Sequence, residues 1–205
     1  MTKVDLWTGP KPLILASQSA SRKMLLANAG FVFEKQPADL DERALQDNSG
    51  LRDPGAIAGL LARAKAAHVA KRNPGKYVIG ADQTLALGKR LFSKPVGRAQ
   101  AVDQIRLLSG GTHQLHSAIA VARDDEILFE TVCVARMTMR LLSDTAIERY
   151  LDCAGEAVTR SVGAYQLEGL GVHLFERIEG DHFTVLGLPL VPLLDFFRRA
   201  GLLAL

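Results

Sequence analysis

Apolar and polar positions in the first part of the chain alternate between short runs and helix-spaced stripes. "PLILAS" is an unbroken apolar run, whereas residues 19–30 have Ser19 at a helix-start position and Gly30 just past the last turn. Asp53-Pro54 is a second helix start, an N-cap followed by proline. The predicted elements here are a buried strand at 12–17, a helix at 19–30, a strand at 31–36, an acidic loop at 38–50, a helix from 53 to about 72, and a short strand at 77–82 that ends at Asp82.

Longer apolar segments dominate the second part of the chain. The predicted elements are a hairpin around Gly88, an amphipathic helix at 98–108, two long strands within 113–142 around Asp124-Asp125, a helix from Ser143 to about Cys153, a loop at 153–171, a strand at 172–181, and a closing helix at 188–203 with Pro189 in its first turn. Strands that alternate with helices and then give way to longer strands predict a mixed α/β fold.

Composition adds limits to this picture. The chain has 205 residues, 48% of them hydrophobic, which suits one domain or one domain with a lobe. We expect an extension at 1–12 and a single domain at 13–205. The net charge of +3 is too small to indicate nucleic acid. Without an apolar leader or a 20-residue apolar run, we expect a cytoplasmic protein with no membrane partner.

The loop "SQSASRK" at 17–23 offers hydroxyls at the start of a helix. Unpaired amides and the helix dipole make such a junction a natural anion site. Arg22 and Lys23 are unfavourable for the dipole in a first turn, so their presence favours a bound polyanion. The alternative is ordinary serine capping beside two solvated cations, and the loop alone favours it slightly because no Walker pattern is present.

Three further residues could share in such a site. Asp82, at the end of a predicted strand, could hold Mg²⁺ or activate a water, or it could cap a turn. Lys65 lies on the apolar stripe of its helix, where a lysine more often extends to the surface than points into a polar site. Lys94 in "FSKP" could reach such a site or remain a loop lysine.

Carboxylates elsewhere have two interpretations each. Glu168, in "AYQLEGLG", could pair with a nearby cation or accept hydrogen bonds from the edge of guanine. Glu42, in the acidic loop, is more often solvated but could bind a metal. His113 and His116 have no further ligands at zinc spacing, and the serines lack the G-x-S-x-G pattern of a serine hydrolase.

Taken together, these segments resemble the Maf family of nucleotide pyrophosphatases, from Leu13 to roughly Arg199. The family's S-x-S-P-R-R motif stands here as Ser17–Lys23. The other matching segments are Leu40–Glu42, Ala62–Ala66, "GADQ" at 80–83, Lys94 in "SKP", "LSGGTH" at 108–113, and the tail "IEGDHFTVLGLPL" at 178–190. Each motif is weak alone, but all of them occur in order and at the family's spacing.

The resemblance implies a mixed, elongated central sheet flanked by helices, with two lobes around a nucleotide-binding cleft, as in Maf/ITPase-like proteins. It also implies hydrolysis of a nucleoside triphosphate to the monophosphate and pyrophosphate with a divalent cation, Mg²⁺ or Mn²⁺. By resemblance, Asp82 is the general base or a metal ligand, and Glu42 is a second metal ligand. The implied substrate-binding residues are Ser17, Ser21, Arg22, Lys23, Lys65, Gln83, Lys94 and Glu168.

Two residues resemble the branch of the family that acts on 7-methyl-GTP. They are Gln83 after Asp82, and Glu168 where the branch acting on dTTP and UTP has a glutamine. A carboxylate can accept from guanine N1–H and N2–H₂, and methylation at N7 strengthens such bonds. The departures are Ala20 for the family proline, Lys23 for its second arginine, Ser21 where the 7-methyl-GTP branch can carry an aromatic residue, and Tyr165-Gln166, which resembles the dTTP/UTP branch.

We therefore predict a 7-methyl-GTP pyrophosphatase. The alternatives are a dTTP/UTP pyrophosphatase on the same fold and a nucleotide-binding regulator of cell division that inhibits septum formation. The expected partner is a small nucleotide, not nucleic acid, because no basic stripe with interleaved aromatics is present. A homodimer is a further possible assembly.

Overall fold

The computed structural model describes residues 5–205, so part of the predicted extension, residues 1–4, lies outside the described residues. The elements are β1 (Leu13–Ala16), α1 (Ala20–Asn28), β2 (Phe33–Lys35), α2 (Glu42–Ser49), α3 (Pro54–Ala70), β3 (Tyr77–Leu87), β4 (Arg90–Phe92), α4 (Arg98–Leu108), β5 (Thr112–Arg123), β6 (Glu126–Met139), α5 (Asp144–Ala154), β7 (Phe175–Glu179), α6 (His182–Val185) and α7 (Leu190–Arg199).

The strands form a mixed sheet in the order β2-β1-β3-β5-β6-β7, with β4 also paired to β3. β1 runs parallel to β2 and β3, whereas β3–β4 and β6–β7 are antiparallel. A parallel portion connected through helices and an antiparallel portion built from hairpins is the arrangement that the alternation of elements predicts. The predicted mixed α/β fold is confirmed. Within residues 5–205, the helices are too short or too polar to cross a bilayer.

The chain divides into two compact units. The first unit comprises the residues up to Gln83, Ser117–Cys133 and Gly187–Leu205, and the second comprises Thr84–His116 and Val134–Leu186. The strands β3, β5 and β6 each contribute residues to both units. A single domain at 13–205 with an extension at 1–12 stays a prediction.

Small residues bring α3 very close to the sheet in the first unit. A Cβ atom on Gly80 of β3 would stand 2.2 Å from the carbonyl oxygen of Ala62 and 2.6 Å from the amide nitrogen of Ala66. Only glycine permits this approach. The buried core around the contact is rich in alanine and includes Ala58, Ala62, Ala66, Ala70, Ala118, Ala120 and Ala122.

Trp7 anchors the chain ahead of β1 in the same unit. Its side chain is buried and meets Tyr77 and Phe197 edge to face, with ring centroids 5.4 and 5.0 Å away. Trp7 also forms a β-bridge with Leu203 near the other end of the chain. Trp7 therefore fixes the segment ahead of residue 13 within the first unit.

The core of the second unit packs α4 and α5 against the later strands. Its buried side chains include Leu85, Ile105, Leu108, Met137, Ile147, Leu151 and Leu174. Tyr165 is buried among them, with its ring centroid 4.8 Å from that of Phe175. The Tyr165 hydroxyl is hydrogen-bonded to Nε2 of the fully buried His113 at 2.7 Å.

The predicted acidic loop at 38–50 is wrong over most of its length, because residues 42–49 form α2. Asp41 caps this helix by accepting a hydrogen bond from the amide of Ala44 at 2.9 Å, and Gly50 ends it in the left-handed conformation. The helix contains no buried residue, so it has no apolar stripe to detect. Asp41 and Gly50 were the local signals that pointed to it.

The prediction that a strand ends at Asp82 is also wrong. β3 continues to Leu87, turns at Gly88 and pairs with β4 as the predicted hairpin, with Leu85 opposite Phe92. Asp82 is therefore in the middle of an 11-residue strand. The nearby strand that does end is β1, whose last residue, Ala16, pairs with Gly80.

Smaller differences concern the last third of the chain. The predicted strand at 172–181 begins too early, because Leu170–Leu174 forms a 3-10 turn and β7 starts at Phe175. The predicted loop at 153–171 contains short 3-10 segments, and the four-residue α6 was not predicted. Pro189 is the residue just before α7 instead of a member of its first turn.

Candidate active site

The loop between β1 and α1 is built by its own hydroxyls. Ser19 caps α1 by accepting from the amide of Arg22 at 3.3 Å, as the sequence predicts. Ser17 is buried, and its Oγ accepts from the amide of Ser19 and from Nη1 of Arg22, both at 3.2 Å. With two bonds accepted, the Ser17 hydroxyl has its O–H left to donate. Ser21 is half-buried in the first turn of the helix.

Arg22 is held at several points within the first unit. Its Nε donates to the carbonyl oxygen of Gly187 at 2.8 Å, and its Nη1 donates to that of Ala81 at 2.8 Å as well as to Ser17. Burial lowers the pKa of Arg22, and the nearby charges of Asp82 and Glu42 oppose that shift. Lys23, the next residue, is exposed, so the two cations of the loop have different surroundings.

Lys65 points into a polar site and does not extend to the surface. Its Nζ lies 2.5 Å from Oδ1 of Asp82 and 2.9 Å from Oε2 of Glu42. Because alternate residues of a strand share a face, Asp82 lies on the same side of β3 as Gly80, the side against which α3 packs. Lys65 and Asp82 are both buried, whereas the Glu42 side chain is about half exposed, at 47%.

Burial raises the pKa of Asp82 above its ordinary value of 3.8. Desolvation is the largest cause, since removal from water disfavours the ionised carboxylate. The charges of Lys65 and Arg22 and the hydrogen bond from Lys65 limit the rise. The result is a carboxylate that accepts a proton more readily than an exposed aspartate does.

Arg22, Glu42, Lys65 and Asp82 form a charged cluster in the first unit, and its two carboxylates can supply two ligands to a divalent cation. Within residues 5–205 there is no group of three or more His, Cys, Asp or Glu side chains that could hold a metal. Asp82 and Glu42, however, converge on one point, the ammonium of Lys65. Mg²⁺ is commonly held by one or two carboxylates plus substrate phosphates and water, so the donor set fits an ion that is completed by a triphosphate.

Gln83 lies next to Asp82 in the first unit and is oriented by a neighbouring strand. Its side-chain nitrogen donates to Oγ of Ser117 in β5 at 2.8 Å, and Ser117 is fully buried. Three contributors to the site were not predicted from the sequence: Ser117, Gly187 and the carbonyl of Ala81. Gly187 and Ala81 each had a signal, their places in the tail "IEGDHFTVLGLPL" and in "GADQ", whereas Ser117 had none.

Lys94 and Glu168 belong to the second unit and are both exposed. Lys94 lies between β4 and α4. Glu168 is on a tight turn in which the amides of Gly169 and Gly171 both donate to the carbonyl of Gln166, at 3.2 and 3.1 Å. The structure therefore gathers Ser17, Arg22, Glu42, Lys65, Asp82 and Gln83 in the first unit, and it presents Lys94 and Glu168 on the surface of the second.

Known proteins of one family are similar to this chain over nearly its whole length. The family model described as "Maf-like protein" matches residues 12–200. A nucleoside triphosphate pyrophosphatase of Bradyrhizobium diazoefficiens is 64% identical over 201 residues, 98% of this chain and 100% of that protein. The protein of the same name from Rhodopseudomonas palustris (strain CGA009) is 60% identical over 201 residues, with the same coverage.

A more distant relative has a more specific name. The 7-methyl-GTP pyrophosphatase of Rhizobium etli is 52% identical over 192 residues, which cover 92% of this chain and 96% of that protein. The family model spans nearly the whole chain, and these relatives align over almost their full length. The chain belongs to the Maf family.

Proposed function

We propose that this chain is a nucleoside triphosphate pyrophosphatase that converts 7-methyl-GTP to 7-methyl-GMP and pyrophosphate. The observation that carries the reaction class is the buried pair of Lys65 and Asp82 beside the anchored guanidinium of Arg22. Relatives named nucleoside triphosphate pyrophosphatase, at 60–64% identity, support the same hydrolase activity. The choice of 7-methylguanine as the nucleobase is supported by one relative, by the chemistry of Glu168 and by the resemblance at Gln83.

The first unit provides positive charge that is fixed before the substrate arrives. Arg22 and Lys65 are positioned to neutralise phosphate oxygens, with the Ser17 hydroxyl and the amides at the start of α1 as hydrogen-bond donors. Catalysis of phosphoryl transfer consists mostly of positioning and charge stabilisation. Groups that are already held in place stabilise the developing charge without reorganising during the reaction.

We assign Asp82 the role of the general base, which accepts a proton from the attacking water. Because Lys65 donates a hydrogen bond to Oδ1 of this carboxylate, we expect Oδ2 to accept the proton. The water oxygen forms a bond to the α-phosphorus while the bond from that phosphorus to the bridging oxygen breaks. Pyrophosphate leaves with the electron pair, and the water proton goes to Asp82. The raised pKa of Asp82 favours this transfer.

A divalent cation, Mg²⁺ or Mn²⁺, when bound, would neutralise charge on the phosphate oxygens. Asp82 and Glu42 are the residues that would hold it, because one oxygen of each carboxylate contacts the Lys65 ammonium and the two carboxylates therefore lie close together. Without substrate, the charges of Arg22, Lys65, Asp82 and Glu42 cancel. The site thus has no excess negative charge to bind a cation tightly by itself, and we expect cation and triphosphate to bind together.

We assign recognition of the substrate's nucleobase to Glu168. Its carboxylate is exposed and can accept from the N1–H and N2–H₂ groups of guanine, which carry more positive charge once N7 is methylated. Tyr165, whose likeness to the dTTP/UTP branch argued for a pyrimidine, is buried and hydrogen-bonded to His113. Its place in the core explains its presence without any contact to a base.

A substrate panel tests the proposal. We expect kcat/KM for pyrophosphate release with Mg²⁺ or Mn²⁺ to be highest for 7-methyl-GTP among 7-methyl-GTP, GTP, dTTP and UTP. Glu168→Gln should lower the value for 7-methyl-GTP by about tenfold, the effect of a lost charge-assisted hydrogen bond, and leave UTP within twofold. The control is Glu176→Gln, at another exposed glutamate of the second unit.

A wild-type preference for dTTP or UTP would overturn the assigned base and favour the dTTP/UTP alternative. The regulatory alternative is tested separately with Asp82→Asn in cells. If that variant loses pyrophosphate release and still inhibits septum formation, nucleotide binding and not hydrolysis is the primary role.

A further inference from the structure

Gly187 contacts the candidate active site but has no role in the reaction proposed above. It precedes α7, and its carbonyl oxygen accepts the Nε–H of Arg22 at 2.8 Å across 165 residues of sequence. The other Arg22 acceptors are the carbonyl of Ala81, next to Asp82, and the Ser17 hydroxyl. Three separate segments of the first unit therefore converge on one guanidinium group.

The conformation of Gly187 suits this contact. Its φ is +86°, a region that residues with a Cβ rarely adopt. A Cβ atom built there would lie 3.4 Å from both Nε and Nη2 of Arg22 and 3.5 Å from Cδ of Gln83. Gly187 thus lies over two of the predicted substrate-binding side chains at once, and a side chain at this position would cover Nη2.

The hydrogen bonds define which edge of Arg22 is available. They engage Nε and Nη1 within the described residues, so Nη2 is the nitrogen that can be directed at a phosphate oxygen. A guanidinium group has its donors in a rigid plane, and fixing two nitrogens fixes the direction of the third.

We propose that Gly187 is a positioning residue: it holds Arg22 through its carbonyl and, by lacking a side chain, keeps Nη2 uncovered for the triphosphate. The proposal rests on the pyrophosphatase reaction proposed above, but not on the identity of the base. It also gives a physical role to the glycine of the tail "IEGDHFTVLGLPL".

The test uses Gly187→Ala in the full chain, with Gly201→Ala as the matched control. Gly201 also has a positive φ, +67°, but a Cβ there would meet nothing within 4 Å, so the control carries similar backbone strain without touching the site. The first measurement is kcat/KM with whichever nucleoside triphosphate is turned over fastest. We expect Gly187→Ala to lower it by at least about tenfold and Gly201→Ala to change it by less than twofold.

A double-mutant cycle with Arg22→Ala separates positioning from a general structural effect. If Gly187 acts through Arg22, adding Gly187→Ala to Arg22→Ala should lower kcat/KM by less than twofold further. The same tenfold loss in both backgrounds would overturn the proposal, as would equal effects of Gly187→Ala and Gly201→Ala. If Gly187→Ala does not fold, Gly187→Asn replaces it, because asparagine tolerates positive φ better.

A second measurement does not depend on turnover. The side-chain Nε–H of Arg22 should give a ¹⁵N NMR signal that exchanges slowly with solvent in the wild type and is absent from Arg22→Lys. We expect exchange to be at least about tenfold faster in Gly187→Ala and unchanged in Gly201→Ala. An unchanged signal in Gly187→Ala would overturn the positioning role, whereas wild-type protein that hydrolyses no nucleotide would overturn only the proposed function.

Discussion

The two compact units hold their predicted site residues in opposite ways. In the first unit, Lys65 and Asp82 are buried and paired at 2.5 Å, and Arg22 is anchored on three acceptors. In the second unit, Lys94 and Glu168 are exposed side chains on loops. The buried polar pair of the second unit, His113 with Tyr165, is made of neutral groups and lies in the core.

This difference indicates that the two sets of residues contribute differently to the rate and to the selectivity of the reaction. Buried charges cost free energy unless they are paired, so a cluster like that of the first unit is retained where fixed charge is needed. Exposed charges are screened by water and contribute modestly to binding. We therefore expect substitutions in the first-unit cluster to change the rate by large factors, and substitutions of exposed residues to change selectivity or very little.

The largest effect is expected for Asp82→Asn. The amide cannot accept the water proton, and we expect kcat to fall by about a thousandfold, the middle of the range for a general base. In the wild type, activity should fall as the pH drops through the raised pKa of Asp82, so the acid limb should lie above 3.8, the ordinary value for aspartate. Initial rates of pyrophosphate release over pH measure both, and Asp39→Asn, at an exposed aspartate, is the control. Turnover within tenfold of wild type in Asp82→Asn would remove this residue from the mechanism.

Lys65→Met comes next, with effects on both stability and rate. Removing one partner of a buried pair leaves Asp82 uncompensated, which we expect to lower the free energy of unfolding by about 3 kcal/mol. Loss of a fixed positive charge should lower kcat/KM by about a hundredfold. Urea denaturation and the pyrophosphate assay measure these changes.

The control is Lys71→Met, at an exposed lysine just past the end of the same helix. It should leave both the free energy of unfolding and kcat/KM unchanged within error. An equal loss in Lys71→Met would contradict the contrast between buried and exposed charge.

His113 tests the neutral pair of the second unit. Burial lowers its pKa from 6.5 to about 4, so between these values the unfolded chain binds the proton more readily than the folded protein. Stability should therefore fall as the pH decreases from 6.5 to about 4, by about 3 kcal/mol in total at 1.36 kcal/mol per pH unit. Denaturation midpoints over this range measure the slope. His113→Gln should flatten it, and His173→Gln, at an exposed histidine, should leave it intact. A wild type whose stability does not change over this range would contradict the neutral buried histidine.

The smallest effect is expected for Lys23→Ala. Lys23 follows Arg22 in the motif, but its side chain is exposed, so we expect kcat/KM to fall by less than threefold. Arg22→Lys, which keeps the charge but loses the planar donor set, should cost at least tenfold more than Lys23→Ala. Equal effects of the two substitutions would contradict the distinction between the anchored Arg22 and the exposed Lys23.

The elements that could be predicted were those whose signals are local. Ser19 and Asp53-Pro54 marked helix starts because a capping side chain bonds the amide three residues on, and the structure has both bonds. The hairpin was also predicted from a local signal, the glycine at its turn, Gly88. The helix α2 was missed although Asp41 and Gly50 mark its ends, because it buries no residue and so has no apolar stripe between those two signals.

The candidate site was predictable in its residue types but not in its connections. The position of Lys65 on an apolar stripe left two orientations open, and the choice depends on Gly80, which lets the helix approach the strand that carries Asp82. The contact of Arg22 with Gly187 joins residues 165 positions apart. Such contacts depend on how the elements pack, which no local pattern in the sequence determines.

The most direct test of the central claim is to follow the hydrolysis in water enriched in ¹⁸O. Attack on the α-phosphorus, with Asp82 taking the proton, predicts one ¹⁸O atom in the nucleoside monophosphate and none in the pyrophosphate, as read by ³¹P NMR or mass spectrometry. The Asp82→Asn variant should form neither product at a comparable rate. Label in the pyrophosphate, release of orthophosphate as the primary product, or undiminished turnover by Asp82→Asn would contradict the assignment of this reaction to the Asp82 cluster.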